Sequence, residues 1–117
     1  MEKIVSQTLL YDFYGELLTD HQKNIYENVV FGDLSLSEAA EEAGISRQGV
    51  HDIIKRCTKM MEEYEGKLNL IEHHINIIKL AEQIKDLADE CCEADDASRQ
   101  IKLERIKELA ALMTDEA

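Results

Sequence analysis

There is no proline anywhere in the 117 residues of this chain, and only five glycines. Proline ends helices more sharply than any other residue, because it lacks the backbone N–H and its ring strikes the preceding turn. A chain without it, with abundant Leu, Ile, Ala, Glu and Lys, favours helix in nearly every window. The breakers that bound short strands are missing too. The sequence therefore predicts an all-α protein whose helices end at glycines and at capping side chains.

The helices can be marked off along the chain. Apolar residues at Ile4, Val5, Leu9, Tyr11, Phe13, Leu17 and Leu18 recur near the 3.6-residue period and predict a first helix of about four turns. Thr19-Asp20-His21-Gln22 has the form of a capping box, with the Thr19 hydroxyl taking a free N–H and Gln22 reaching back. A second helix follows with Ile25, Tyr26, Val29 and Val30 inward, stopping near the turn pair Gly32-Asp33. Tyr11, Phe13, Tyr14 and Tyr26 are expected in the core of these helices.

Ser35-Leu36-Ser37-Glu38 repeats the capping box and starts a short helix to about Ala43, which Gly44 ends. Ser46 caps the next helix, which runs through Val50, Ile53, Ile54 and Cys57 to about Glu65. Beyond Gly66, "KLNLIEHHINIIKLAEQIKDLADECC" carries a broad apolar stripe, and "RQIKLERIKELAALM" closes the chain after the interruption "EADDAS". These two read as a helical hairpin or a partner-binding pair. Two parts are expected: residues 1–66, with a motif at 35–57, and residues 67–117, in the same compact unit or as a dimerisation extension.

Residues 35–57 meet the needs of a helix-turn-helix one by one. Ala39, Ala40 and Ala43 are small where two steeply crossing helices approach closely, Gly44 makes the turn, Ile45 plugs the angle, and Val50 and Ile53 anchor the second helix. Ser46, Arg47, Gln48, His51, Asp52 and Lys55 are then left on the outer side, with Arg56 and Lys59 near the rim. In the usual docking, the start of the second helix enters the major groove. Arg47 is suited to guanine and Gln48 to adenine, while Lys55, Arg56 and Lys59 meet phosphates and His51 serves either purpose. The expected nucleic-acid contacts are Ser46, Arg47, Gln48, His51, Lys55, Arg56 and Lys59. Asp52 would repel phosphate, and Gly49 loosens the recognition helix or lets backbone approach closely.

"LLYDFYGELLTDHQKNIYE", "LSLSEAAEEAGISRQGVHDIIKR" and "EEYEGKLNLIE" closely resemble the YlxM family, small helix-turn-helix proteins of low-GC Gram-positive bacteria. That family is itself similar to region 4 of sigma factors, the promoter-reading part. The resemblance implies a sigma region 4-like, four-helix fold without a wing, followed by extra C-terminal helices, with residues 46–57 as the recognition helix. It also implies a regulator in, or accessory to, the signal recognition particle pathway, since YlxM genes typically lie beside those for the GTPase Ffh and its receptor FtsY. Expected partners are DNA, or RNA, and the signal recognition particle GTPase or its RNA.

The net charge of -12 is unevenly spread. Residues 1–34 carry two Lys/Arg and six Asp/Glu, residues 35–59 four of each, and residues 60–117 seven and fifteen. A local basic surface is thus compatible with an acidic chain. The acidic C-terminal half suggests a protein-interaction module, and its wide apolar stripes predict a homodimer presenting two recognition helices.

Other chemistry finds little support. His73-His74 and Cys91-Cys92 are neighbours about 100° apart on a helix, and no CxxC or HxxxH spacing is present, so no metal is expected. Cys57, Cys91 and Cys92 are an odd number and suggest reduced thiols rather than a disulfide framework. No phosphate loop and no nucleophile with a base is recognisable, so neither an enzyme nor a cofactor is expected. No apolar run reaches membrane-spanning length, and the acidic start does not read as a secretory leader, which predicts a cytoplasmic protein without membrane contact.

Overall fold

The computed structural model describes residues 3–116, with side chains described from 7 to 115. The expected inward side chains of Ile4 and Val5 lie outside the described residues. Every regular element described is helical: α1 (Lys3–Tyr14), α2 (Asp20–Tyr26), α3 (Leu36–Ala43), α4 (Arg47–Leu68), α5 (Leu70–Cys91) and α6 (Asp96–Glu116). The chain divides into two compact units, Met1–Asn69 and Leu70–Ala117.

In the first unit, α1 tightens into a 3-10 turn over Gly15–Leu17. Three residues per turn shifts the phase of the stripe. Leu18 is accordingly buried, while Leu17, expected in the same stripe, is 54% exposed. Thr19 then forms the full capping box with Gln22, its hydroxyl accepting from the Gln22 N–H and the Gln22 side chain accepting from the Thr19 N–H. After α2 the chain widens into a π turn over Glu27–Phe31 before Gly32. Ser35 and Glu38 make a second capping box at the start of α3.

One core cluster joins α2, α3 and α4. Ile25, Ala39, Ala40 and Val50 are buried in it, and Val29, Leu36, Ala43, Ile45, Ile53 and Ile54 pack against it. The two alanines allow α3 and α4 to approach closely. Leu10, Tyr14, Leu18, Tyr26, Cys57 and Met61 are buried as well, and α1 packs along the far half of α4, where Tyr14 stacks with Tyr64 at 6.1 Å. Tyr11 stacks on Tyr26 with ring centres 5.5 Å apart, and its hydroxyl donates to the Glu27 carboxylate. Tyr14 donates to Glu65 at 2.5 Å, and the Tyr26 hydroxyl meets Thr58 Oγ1 at 2.9 Å. Burial, followed by the bond to Glu27, holds the Tyr11 hydroxyl far above its ordinary pKa. Burial likewise pushes the Cys57 thiol up, so it stays protonated in its apolar setting.

The α4 helix does not end at Gly66, where a boundary was expected. It continues to Leu68 and stops at Asn69, in the left-handed conformation with φ 55. Glycine inside a helix costs only about 1 kcal/mol relative to alanine, and packing outweighs that. Asn is among the few residues that tolerate the left-handed region.

The second unit is an antiparallel hairpin of α5 and α6. Lys102 reaches Glu90 at 3.4 Å near the turn, while Asn76, Lys79, Leu80 and Gln83 of α5 and Leu112 and Asp115 of α6 line one recess at the other end. Asp95 caps α6 by accepting from the Ser98 N–H at 2.7 Å. Arg99 donates to the Cys91 and Ala94 carbonyls at 3.0 and 2.9 Å, satisfying acceptors that the end of α5 leaves open. Cys91 and Leu109 are buried, but Ile78, Ile101, Leu103 and Leu112 are exposed apolar side chains. No helix is long and apolar enough to cross a membrane, and no group of three or more potential ligands could hold a metal ion, among the described residues. All three cysteines are free thiols.

Candidate nucleic-acid interface

The turn that presents the candidate reading helix is built from three local choices. Gly44 ends α3 at φ 70, where a Cβ would be strained against its own backbone, and its N–H returns to the Glu41 carbonyl. Ile45 packs into the core cluster. Ser46 is the N-cap of α4, its Oγ accepting from the Gly49 N–H at 2.9 Å. A Cβ on residue 49 would lie 3.1 Å from that oxygen, so Gly49 leaves the cap its room. Ser46 thus has a structural task besides any contact its hydroxyl proton could make.

From this cap α4 rotates by 100° per residue, burying Val50, Cys57 and Met61 on one side. Arg47, Gln48, His51, Asp52, Lys55, Arg56 and Lys59 are all exposed. Arg47, Gln48 and His51 line a shallow recess with Leu36 of α3, of about 390 Å³. His51 also borders a longer groove of about 620 Å³ shared with Lys55, Thr58, Lys59, Glu62 and Gln7 of α1. His51 thereby joins the helix start to the lysines in one continuous surface. Arg56 is exposed but lines neither recess, which leaves it at the margin.

The electrostatics of this surface are local. Among the described residues, Arg47, Lys55, Arg56 and Lys59 hold no ion pair, so their charges face solvent. Asp52 stands among them, with its side chain 55% exposed. It accepts from Gln48 Nε2 at 2.9 Å and lies 3.9 Å from His51 Nδ1. From the sequence alone Asp52 reads only as a repulsive charge. The i, i+4 spacing to Gln48 was the available sign of the pairing.

Such a face, on the second helix of a capped helix-turn-helix, can offer donors and cations to a polyanion. Comparison with known proteins agrees with the architecture. Residues 1–113 match the family described as "Putative helix-turn-helix protein, YlxM / p13 like", UPF0122. The chain belongs to this family. A UPF0122 protein of Caldanaerobacter subterraneus is 51% identical over 79 residues, covering 68% of each chain. That of Clostridium kluyveri is 46% identical over 89 residues, covering 76% of this chain and 80% of the relative. That of Bacillus thuringiensis is 38% identical over 109 residues, covering 93% of this chain and 98% of the relative. The YlxM/p13-like match therefore takes in both the helix-turn-helix and most of the α5–α6 hairpin.

Proposed function

We propose that this protein is a cytoplasmic DNA-binding regulator that lays the start of α4 in the major groove. The observation that carries the reading is the continuous exposed surface of Arg47, Gln48, His51, Lys55 and Lys59 beside a rigid, capped turn. Arg47 and Gln48 read base edges, Lys55, Lys59 and the marginal Arg56 meet phosphates, and His51 lies between the two groups. Ser46 fixes the helix start.

Two copies act together. Ile101, 72% exposed, and Leu112, 47% exposed, are eleven residues apart on α6. That is about three turns, so both lie on one side of the helix. Covering them with the same side of a second copy removes apolar surface from water and gives the regulator two recognition helices.

The resemblance to YlxM supports a setting in the signal recognition particle pathway. A second reading is a non-DNA-binding accessory that contacts the particle's GTPase or its RNA; residues 70–117 carry six Lys/Arg against twelve Asp/Glu, which suits the basic surface of the GTPase.

The test is fluorescence anisotropy of a labelled random duplex and of a signal recognition particle RNA hairpin, each at several salt concentrations. The regulator binds the duplex with a log-log salt slope of about -3 or steeper, since the three phosphate contacts of one copy give roughly -2.7 and those of a second copy steepen it. Preference for the hairpin, or no binding to either, favours the accessory instead.

A further inference from the structure

A carboxylate in the middle of a DNA-reading face calls for a reason, since it repels every phosphate that approaches. Asp52 makes one well-formed hydrogen bond, taken from Gln48 Nε2 at 2.9 Å. A carboxylate only accepts, so it decides which end of the Gln48 amide turns toward it. The nitrogen must face Asp52 and the carbonyl oxygen must face away. The same nitrogen keeps its second N–H. Gln48 is left with one outward donor and one outward acceptor side by side, in a fixed order.

That pair matches one base edge. Adenine presents an N7 acceptor and an N6 donor in the major groove, and a glutamine amide meets both at once. Guanine presents N7 and O6, both acceptors, and leaves the glutamine oxygen facing an oxygen. An amide free to turn over still reads adenine but must first select one of two orientations, and it can adapt more readily to other edges.

Resting on the DNA-binding reading above, we propose that Asp52 is a positioning residue that locks the Gln48 amide in the orientation that selects adenine over guanine. The repulsion of Asp52 for phosphate is then offset by selectivity. The competing account is that the pair only stabilises the helix, as Gln–Asp pairs at i, i+4 do. Helix stabilisation of that kind does not discriminate between bases.

The experiment first selects preferred duplexes from a random library with the full-length native chain, then measures affinity with adenine or guanine at each position. The native chain shows roughly tenfold preference for adenine at one position, within the range of a bidentate pair. Asp52→Asn, which offers Gln48 either a donor or an acceptor, binds all duplexes more tightly but retains at most about twofold preference there. In a Gln48→Ala background, Asp52→Asn still tightens binding and no longer changes the preference.

A uniform gain with the native preference intact overturns the positioning role and leaves DNA reading standing. A preference change that survives in the Gln48→Ala background also overturns it, because Asp52 then acts through another group. Absence of any base preference in the native chain overturns base reading and this inference together but leaves duplex binding standing, whereas absence of duplex binding overturns the DNA reading as well. Thermal melting of each variant checks that these exposed substitutions leave the fold intact.

Discussion

If α4 reads DNA as proposed, its single residues divide into those that choose a sequence and those that hold a backbone. On the proposed reading Arg47, exposed at the first turn, reads a base edge, so Arg47→Ala is expected to flatten the preference among selected duplexes. Lys55→Ala is expected to weaken every duplex alike and to reduce the salt slope by about one. Anisotropy titrations at several salt concentrations separate the two, and equal loss on all sequences from both variants would count against direct readout. Glycines give a matching contrast in stability. Gly44 has φ 70, whereas Gly66 lies within α4, and a Cβ added there would meet nothing within 4 Å. Gly44→Ala is expected to cost about 1 kcal/mol by forcing a Cβ into the left-handed region. Gly66→Ala is expected to add about 0.5–1 kcal/mol, by removing freedom from the unfolded chain and improving helix propensity. Denaturant midpoints of the two variants should move in opposite directions.

At the scale of whole helices, stability rests on what closes their ends. The Asp95 carboxyl, bonded to the Ser98 backbone N–H, is held below the ordinary carboxylate value of 3.8. A depressed folded-state pKa contributes stability that is fully present above the unfolded value and lost as pH falls through the folded one. The α5–α6 hairpin should therefore weaken below about pH 4. Asp95→Asn keeps a capping oxygen without a titrating group, so its melting should change less between pH 5 and pH 3 than that of the native chain. Helix ends of this local kind were legible in the sequence: Thr19 with Gln22, Ser35 with Glu38, Gly44 and Ser46 each act within four residues. What depends on distant partners was not. The α4 helix passes through Gly66 because Met61 is buried and Tyr14 of α1 bonds Glu65, a tertiary tie that local propensity does not express. Leu17 faces water because a 3-10 turn changed the phase, and the π turn at Glu27–Phe31 left no periodic mark. In the candidate interface, helical rotation alone told which α4 side chains share the outward face. The hold of Asp52 on Gln48 needed a rotamer as well as a spacing.

The whole molecule sets the conditions under which that face can work. Residues 1–69 carry seven Lys/Arg and thirteen Asp/Glu, so even the helix-turn-helix unit is acidic outside the segment from Ser46 to Lys59. The long-range field opposes approach to DNA, while the Debye length of about 8 Å at physiological salt confines that opposition to near distances. One copy is then expected to bind weakly. A second recognition helix on the same assembly raises the effective local concentration at the second half-site and multiplies affinity without any new contact. In the proposed dimer the exposed Ile101 and Leu112 of α6 are the apolar contacts, and Ile101, 72% exposed, is the side chain to change. Ile101→Glu puts a carboxylate where the second copy would seat and removes little buried area from the folded chain. Sedimentation velocity should find the native chain as two copies and the variant as one, with equal helical circular dichroism. Duplex affinity of the variant should fall by about tenfold or more although α4 is untouched. A native chain that sediments as a single copy would remove the dimer from the account, and the contacts of α4 alone would have to supply the whole affinity.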